Sequence, residues 1–473
     1  MSAPPESPSA RPGVAPNQPP TPAQEPDHGL DRSALLALAA ILMGVGLGTL
    51  DTAIANTALP AIAHDLNAPP AASIWVVNAY QLATVALLLP FAALGDRIGP
   101  RRVFMGGLAF FTLASLACAL APTLTLLALA RGLQGMGAAA IMSVNIALIR
   151  LLYPASRLGR GVGMNALVVG VFFAVGPTVA SLVLSVADWP WLFAINVPLG
   201  LLALGFGWHT LPHSTPRDHG FDPLTAVFTA LTFSTLIGAL GAAAQQEPWP
   251  LVALPASVTV VAGALLLWRQ AGHPAPMLPV DLLRRPLFAL SVLTALSAFA
   301  TQGLAFVSLP FFLEQVLHRN PVDTGFLMSA WPVVVAAAAP FAGRLSDRHP
   351  PGLLGGIGLA VLSAGMLSLA LLPDQPGTLD LVLRLCVCGA GFGFFQSPNL
   401  RALMSSAPPE RASGASGMIA LARLTGQASG AAGVALCFAL GGTHGAKTAL
   451  AVGCGTAALG AAASTARLFT RQR

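Results

Sequence analysis

The chain has 473 residues, of which 55% are hydrophobic and 9% are charged, and its formal net charge is +6. Soluble domains carry about a quarter charged residues, so this composition excludes an ordinary water-facing surface, which would expose large apolar patches. The basic excess does not indicate nucleic-acid binding, because the arginines stand at the edges of apolar runs, a spacing typical of membrane topology.

Apolar runs of eighteen or more residues recur from Ser33 onwards. Each can cross roughly 30 Å of hydrocarbon as a helix, and runs that are apolar all round do not fit the alternating strands of a barrel. The sequence therefore predicts an all-α membrane protein. Its fourteen predicted helices are 33–60, 73–95, 103–121, 123–149, 161–186, 190–211, 223–243, 250–268, 287–313, 323–343, 352–373, 379–402, 412–440 and 446–466.

Helix 1 contains Asp51, the only acid well inside a predicted helix. Charges deep in a bilayer are costly and indicate function. Burial favours the neutral form of a carboxyl group, and a nearby cation favours the ionised form. Asp51 is therefore a candidate to load and release a proton as its surroundings change. The alternative is a static buried ion pair that orders helix packing.

The loop after helix 2 is dense in charge, and a second Asp-Arg loop follows helix 10. The spacing favours a cytoplasmic gate, in which the loops latch two halves together in one state and release them in another. The alternative is a simple cytoplasmic anchor. The candidate gate residues are Asp96, Arg97, Gly99, Arg101, Arg102, Asp347 and Arg348.

Helix 4 contains Arg131, which we predict to act with Asp51 in proton coupling. Arg131 lies nine residues from Pro122, and Asp51 lies nine residues from Pro60, each proline marking the outer end of a predicted helix. Both side chains are thus roughly 14 Å below the same surface, at about 1.5 Å per residue. Equal depth permits an ion pair if helices 1 and 4 adjoin. The alternative is that Arg131 only orders its own helix.

Helix 5 contains Gly170 and Gly176-Pro177. Pro177 removes one backbone donor and should kink the helix, while the glycines permit another backbone to approach. A bend that flexes during transport and a fixed packing bend are both compatible with this segment.

Uncharged polar residues and one further arginine interrupt otherwise apolar helices. Interhelical hydrogen bonding is the simpler role for any one of them, but as a set they could line a polar substrate cavity. The candidates are Asn78, Gln81, Gln134, Asn145, Asn165, Gln302, Gln396, Asn399, Arg423 and Gln427.

The basic residues also test the number of helices. With both termini inside, nineteen of them fall on the cytoplasmic side and three on the other, as the positive-inside rule requires. The two Asp-Arg loops lie eight helices apart, whereas six-helix repeats would place them six apart, so helices 7 and 8 are expected to be an insertion. The predicted divisions are a disordered cytoplasmic tail at 1–32, six-helix bundles at 33–211 and 287–466, inserted helices and linkers at 212–286, and a cytoplasmic tail at 467–473.

Motifs of catalysis and metal binding are missing from the sequence. It has no GxxxxGK[ST] loop, HExxH pair or serine elbow, so ATP hydrolysis within the chain is not expected. The five cysteines all lie in apolar runs and are expected to be small core residues rather than disulfide or metal ligands. We expect no enzyme activity, no cofactor and no metal.

Several segments together resemble the major facilitator superfamily, and most closely its fourteen-helix drug:proton antiporter family. LDTAIANTALP, ALGDRIGPRR and ARGLQGMGAA resemble that family's signatures for helix 1, loop 2–3 and proton-linked helix 4. GVFFAVGP resembles the first part of its helix-5 motif. Later matches are WPWLFAINVPLG, GAGFGFFQSPN and SGASGMIALARLTGQASG, while SIWVVNAYQ and MSVNIALIRLLYP resemble an uncharacterised bacterial subgroup.

The resemblance implies a major facilitator fold and a proton-coupled exporter of amphipathic drugs or other toxic small molecules in a bacterial inner membrane. Its expected partners are the cargo, protons and membrane lipid, with no nucleic acid, and the expected unit is a monomer. One departure is Thr178-Val-Ala180-Ser181, which replaces the usual second glycine pair of the helix-5 motif. Another is that no acid lies in helix 13, which favours monovalent or neutral substrates over polycations.

Two other functions stay open at this stage. One is a transporter of a physiological metabolite, such as an amino acid or a siderophore. The other is a membrane receptor or scaffold that transports nothing.

Overall fold

The computed structural model describes residues 31–154, 157–212, 223–244, 247–270, 280–373, 375–407 and 412–470. Every regular element over these residues is helical, and fourteen helical spans are long and apolar enough to cross a membrane. The predicted class, an all-α protein with fourteen transmembrane helices, is confirmed. The chain is a multi-pass membrane protein.

The fourteen spans are numbered α1 to α14 in chain order. The first seven are Arg32–Asp65, Pro70–Ile98, Pro100–Ala119, Leu124–Leu152, Arg160–Leu184, Pro190–Thr210 and Leu224–Ala243. The second seven are Trp249–Gln270, Pro286–Val316, Pro321–Leu345, Pro351–Ala370, Thr378–Ser406, Gly417–Gly441 and Gly445–Phe469. We refer to the two ends of the bundle by the loops they carry, as the α1–α2 end and the α2–α3 end.

Several helices run further than the sequence predicts. Pro60, the predicted end of the first helix, lies inside α1, which continues to Asp65. Prolines are tolerated within membrane helices because neighbouring groups satisfy the backbone that they free. Pro177 likewise lies inside a helix that is continuous from Leu158 to Leu184. At the C-terminus, Arg467 was expected in a tail but is buried at the end of α14.

The helices pack as two groups with a pair beside them. Within the first group α4 packs against α2 and α3, and within the second α12 packs against α10 and α11 while α9 packs against α13 and α14. The groups meet where α5 contacts α10, α2 contacts α13 and α1 contacts α9. The pair α7 and α8 is joined to both groups, because α7 packs against α2 and α13.

Glycines allow the closest of these approaches. A methyl group added at Gly107 of α3 would lie 2.5 Å from Cβ of Ala140 and 3.1 Å from the carbonyl oxygen of Gly137, both on α4. The neighbouring Gly106 faces open space, with no atom within 4 Å of such a methyl group. Small residues therefore set the α3–α4 distance, as is common where membrane helices pack closely.

This contrast predicts the effect of two adjacent substitutions. Gly107→Ala should destabilise the protein, because overpacking typically costs about 1–3 kcal/mol, whereas Gly106→Ala should be neutral or slightly stabilising. Both variants gain the same helix propensity, so their difference isolates the packing effect. Thermal unfolding of the detergent-purified proteins measures it, and equal unfolding temperatures for the two variants would contradict the close α3–α4 contact.

Candidate functional site

A buried ion pair lies at the centre of the first helix group. Asp51 of α1 and Arg131 of α4 are each only 1% exposed, and Nη1 of Arg131 contacts Oδ2 of Asp51. The two residues, predicted to lie at equal depth, come together because α1 and α4 pack against each other. A buried pair of this kind needs further hydrogen bonds to offset the loss of hydration.

Two carboxamides supply those bonds to the carboxylate. Oδ1 of Asp51 accepts hydrogen bonds from Nε2 of Gln134 at 2.8 Å and from Nδ2 of Asn196 at 2.9 Å. Gln134 also donates to Oγ of Ser115 at 2.8 Å and accepts a bond from Nη1 of Arg131. The carboxylate is thus held by side chains from α4 and α6, and through Gln134 it is linked to α3.

The guanidinium group has a second set of partners. Nε of Arg131 donates to the carbonyl oxygen of Val76 at 2.9 Å. Its Cζ lies 4.3 Å from the ring centroid of Tyr80 and 5.4 Å from that of Phe193, distances at which aromatic faces attract a cation. The Tyr80 hydroxyl donates to the carbonyl oxygen of Gly48 at 3.2 Å. Arg131 therefore ties α2 and α6 to the Asp51 site.

The hydrogen bonds around Asp51 depend on the charge of its carboxylate. An ionised carboxylate only accepts hydrogen bonds, whereas a protonated one also donates. Protonation would remove the charge that Arg131 pairs with and weaken the bonds from Gln134 and Asn196, since bonds to a charged acceptor are the stronger kind. Contacts among α1, α4 and α6 would change together.

Sequence reasoning missed Asn196, Ser115 and Tyr80 as members of this site. Asn196 is a polar residue within an apolar helix, the same signal that selected the other candidates, but it lies near the helix start, where polar residues are expected. Tyr80 is one of two tyrosines in the chain, and that rarity was a usable signal. Serines are common in membrane helices, and Ser115 carried no signal.

Three of the predicted cavity residues line one internal cavity between the two helix groups. It is small, with a volume of about 10 Å³, which is enough for roughly one water molecule. Gln302 and Gln427 meet across it, where Nε2 of Gln427 donates to Oε1 of Gln302 at 2.8 Å. The lining residues are Thr52, Asn56, Gln81, Phe173, Gln302, Gly303, Phe306 and Gln427.

Two further predicted residues stand near this group. Asn78 is buried on α2, three residues before Gln81, and its Oδ1 has no hydrogen-bond partner among the described residues. Arg423 lies on α13, four residues before Gln427, and its buried Nε has no partner in the described part of the chain. Residues four apart share a helix face, so Arg423 adds positive charge beside the cavity.

The other cavity candidates lie elsewhere. Nδ2 of Asn145 donates to Oδ1 of Asn165 at 3.3 Å, which links α4 to α5. Asn399 donates to the Ser291 carbonyl oxygen at 3.2 Å and accepts a bond from Arg467 at 2.8 Å. These contacts fit the simpler role of interhelical hydrogen bonding. Gln134 belongs to the Asp51 site, and Gln396 is exposed.

The predicted gate residues lie at the α2–α3 end. Gly99 adopts a φ of 97°, which favours glycine and turns the chain sharply between α2 and α3. Arg101 donates to the carbonyl oxygen of Trp208 in its own half, and Asp347 pairs with Arg401 in the other half. The gate residues exposed at this end are Asp96, Arg97, Arg102, Asp347 and Arg348.

The helix-5 segment packs against both α1 and α10. A methyl group at Gly176 would lie 2.4 Å from Cβ of Ala53, whereas Gly170 faces open space. Beyond Pro177, the hydroxyls of Thr178 and Ser329 are 2.7 Å apart, and Ser181 donates to the carbonyl oxygen of Pro321 at 2.7 Å. The residues that replace the usual glycine pair thus form a polar seam with α10, defined by these two hydrogen bonds.

An apolar core closes the α1–α2 end across the two helix groups. Leu50, Ile54 and Leu59 of α1 share one cluster with Leu304, Val307 and Phe311 of α9. The rings of Phe173 and Phe306 also meet between the groups, with centroids 5.0 Å apart. The cavity is therefore separated from the α1–α2 end by side chains from both groups.

The described membrane-spanning helices pack as two groups with a cavity between them. The Major Facilitator Superfamily model matches residues 36–431, and the chain belongs to this superfamily of transport proteins, which move small molecules across membranes and are not enzymes.

Three relatives show the range of transporters to which the chain is similar. It is 52% identical to the uncharacterized transporter YebQ of Escherichia coli K12 over 86% of this chain and 90% of YebQ. It is 28% identical to the riboflavin transporter RibZ of Clostridioides difficile over 80% and 82%. It is 31% identical to the multidrug resistance protein Stp of Mycobacterium tuberculosis over 85% and 75%.

The geometry of the ion pair predicts strong energetic coupling between Asp51 and Arg131. Arg131→Gln should cost roughly 3–5 kcal/mol, because it leaves a buried carboxylate without its counter-ion. The double variant Asp51→Asn/Arg131→Gln should be less destabilised than the sum of the single variants, by about 0.5–3 kcal/mol. A double-mutant cycle on thermal unfolding in detergent measures this difference.

The half-exposed pair Asp380–Arg384, which lies within one helix, provides the matched control. The same two substitutions there should show a coupling of less than about 1 kcal/mol, because water and salt screen the charges. Equal couplings for the two pairs would mean that burial does not strengthen the Asp51–Arg131 interaction.

Proposed function

We propose that this protein is a proton-coupled exporter of amphipathic drugs or other toxic small molecules in a bacterial inner membrane. The observation that carries the proposal is the buried Asp51 carboxylate, held by Arg131, Gln134 and Asn196 from two other helices. A carboxyl group so placed changes its helix contacts when it gains a proton. Similarity to Stp, a multidrug resistance protein, supports export of toxic compounds.

Transport in this proposal proceeds by alternating access. Two six-helix bundles, 33–211 and 287–466, rock around the central cavity, with the inserted helices of 212–286 beside them. Both termini are cytoplasmic, the α2–α3 end faces the cytoplasm, and the working unit is a monomer in lipid. The packed α1–α2 end then corresponds to a state closed to the outside, in which cargo would enter from the cytoplasm.

The helix α1 connects the proton to the cargo. Asp51 faces the first bundle, whereas its neighbour Thr52 and Asn56 line the cavity between the bundles. Breaking the ion pair with Arg131 would free α1 to shift, and any shift moves the cavity wall. Protonation and cargo binding would therefore alternate. The candidate gate residues would hold the cytoplasmic side closed in the other state. They are Asp96, Arg97, Gly99, Arg101, Arg102, Asp347 and Arg348.

A second candidate is the transport of a physiological metabolite, which the similarity to a riboflavin transporter favours. Assays in everted vesicles separate it from drug efflux. Drug-dependent proton release supports efflux, whereas proton-linked transport of a metabolite without response to any drug supports the second candidate. A complete lack of transport would favour a receptor or scaffold.

The proposal predicts that Asp51→Asn abolishes proton-linked transport, because an amide cannot load and release a proton. Drug-induced proton release and resistance should fall to the level of cells without the protein. The control Asp380→Asn, the same change at a half-exposed ion pair, should leave both unchanged. Transport by Asp51→Asn with its pH dependence intact would exclude Asp51 from coupling.

Alternating access also predicts that locking the polar seam stops transport. The hydroxyls of Thr178 and Ser329 are 2.7 Å apart, so Thr178→Cys/Ser329→Cys should approach the separation that a disulfide needs. In a background where the five native cysteines are alanine, oxidation should block transport and reduction should restore it. Each single-cysteine variant should be insensitive to oxidant. Undiminished transport by the cross-linked protein would mean that the seam does not open.

A further inference from the structure

The central cavity contains polar groups that lack hydrogen-bond partners among the residues that the structure describes. Asn56 is 5% exposed and Gln81 is 4% exposed. Both line the cavity, and Oδ1 of Asn56 and Oε1 of Gln81 have no hydrogen-bond partner. Buried polar atoms in proteins are nearly always paired. Two carboxamide oxygens buried beside one cavity, with no partner among the residues that the structure describes, therefore indicate a bound partner from outside those residues.

The cavity is rich in polar groups but its lining is uncharged. The lining consists of hydroxyl, carboxamide, glycine and phenylalanine groups, and among the described residues it contains no Asp or Glu. The nearest buried acid in sequence is Asp51, whose carboxylate is already engaged by Arg131, Gln134 and Asn196. A cationic cargo would find no counter-ion here, and burying an unpaired charge is strongly unfavourable.

Arg423 increases this bias against cations. It lies one helical turn from Gln427 on α13, and its Nε is buried without a hydrogen-bond partner. A second cation brought beside it would be repelled as well as desolvated. The electrostatics of the cavity thus disfavour a cationic molecule.

Aromatic side chains define the shape that the cavity favours. Phe173 and Phe306 come from opposite helix groups, with ring centroids 5.0 Å apart and planes inclined by 47°. Aromatic faces of this kind pack against flat apolar surfaces. The end of each carboxamide carries an NH₂ donor and a C=O acceptor side by side, in either rotamer of the amide. It can therefore pair with a ligand edge on which N–H and C=O groups are neighbours.

Building on the proposed transport function, we infer that the cargo is an uncharged, flat-faced molecule with N–H or O–H donors beside carbonyl acceptors. Asn56, Gln81, Gln302 and Gln427 bind its polar edge, and Phe173 and Phe306 pack against its face. The same four carboxamides, without an acid among them, exclude organic cations. The small cavity volume of the present state means that the two bundles must separate to admit such a molecule.

Acridone and proflavine test this selectivity because they share one fused three-ring shape. Acridone is neutral and carries N–H and C=O groups, whereas proflavine is a cation at neutral pH. Lumichrome, neutral with an imide edge, and ethidium, a cation, form a second set. Fluorescence titration of the full-length purified protein should show neutral compounds binding at least about tenfold more tightly than cations, the ratio that 1.4 kcal/mol gives.

Substitutions in the cavity should change this preference in opposite directions. Gln81→Leu and Gln302→Leu should each weaken acridone binding about fivefold, as expected for one lost hydrogen bond. Gln81→Glu should strengthen proflavine binding about tenfold by supplying the missing counter-ion. If that variant does not fold, Asn56→Asp provides the same test. The exposed Gln396 is the matched control, and Gln396→Leu and Gln396→Glu should change neither affinity.

The outcomes separate this inference from the proposed function. Binding of proflavine at least as tight as that of acridone overturns the inference, as does failure of both neutral compounds to bind a protein that shows Asp51-dependent transport of another cargo. A different result would overturn the proposed function alone. In that case neutral compounds would bind in the cavity, but no compound would show Asp51-dependent transport.

Discussion

The position of Asp51 in the bilayer constrains the rest of the first bundle. A buried carboxylate is tolerated only with an opposite charge and hydrogen bonds around it, and these come from α4 and α6 through Arg131, Gln134 and Asn196. The helices that provide them must approach closely. A methyl group at Gly135 would lie 2.3 Å from the carbonyl oxygen of Tyr80, so the glycine allows α4 to reach α2. The buried ion pair therefore requires the small residues, because they let the helices come close enough to surround it.

The contact between the bundles depends on the same helix. Asp51 lies on the side of α1 that faces the other helices of the first group. Thr52 and Asn56 lie on the side that lines the cavity between the groups. Gly176 of α5 packs against Ala53, and two residues later Thr178 begins the polar seam with α10. The hydroxyls that replace the usual glycine pair give this interface directional hydrogen bonds instead of close backbone contact alone. Such bonds favour one arrangement of α5 and α10, and under the proposed mechanism their breaking would leave polar groups that water can satisfy.

The sequence predicts the features of the fold that depend on hydropathy along the chain. It does not predict which face of each helix points towards the cavity. Hydropathy determines that fourteen spans exist, because each must cross the same apolar thickness. Counting residues from Pro60 and Pro122 placed Asp51 and Arg131 at one depth, although Pro60 does not end α1. Depth says nothing about which face a side chain occupies. Asn399 therefore looked like a cavity residue, yet it binds Arg467 and Ser291 within the second group.

The separation between Asp51 and the cavity lining limits how the proposed coupling can work. A transporter whose cargo and proton compete for one carboxylate needs that carboxylate in the cargo site. Here the carboxylate is enclosed by Arg131, Gln134 and Asn196, and the described cavity lining has no acid. Under the proposed mechanism, cargo and proton therefore occupy adjacent sites on opposite sides of α1. Each site favours one position of that helix, and because coupling of binding free energies is reciprocal, a cargo that favours one position of α1 must also change the affinity of Asp51 for its proton.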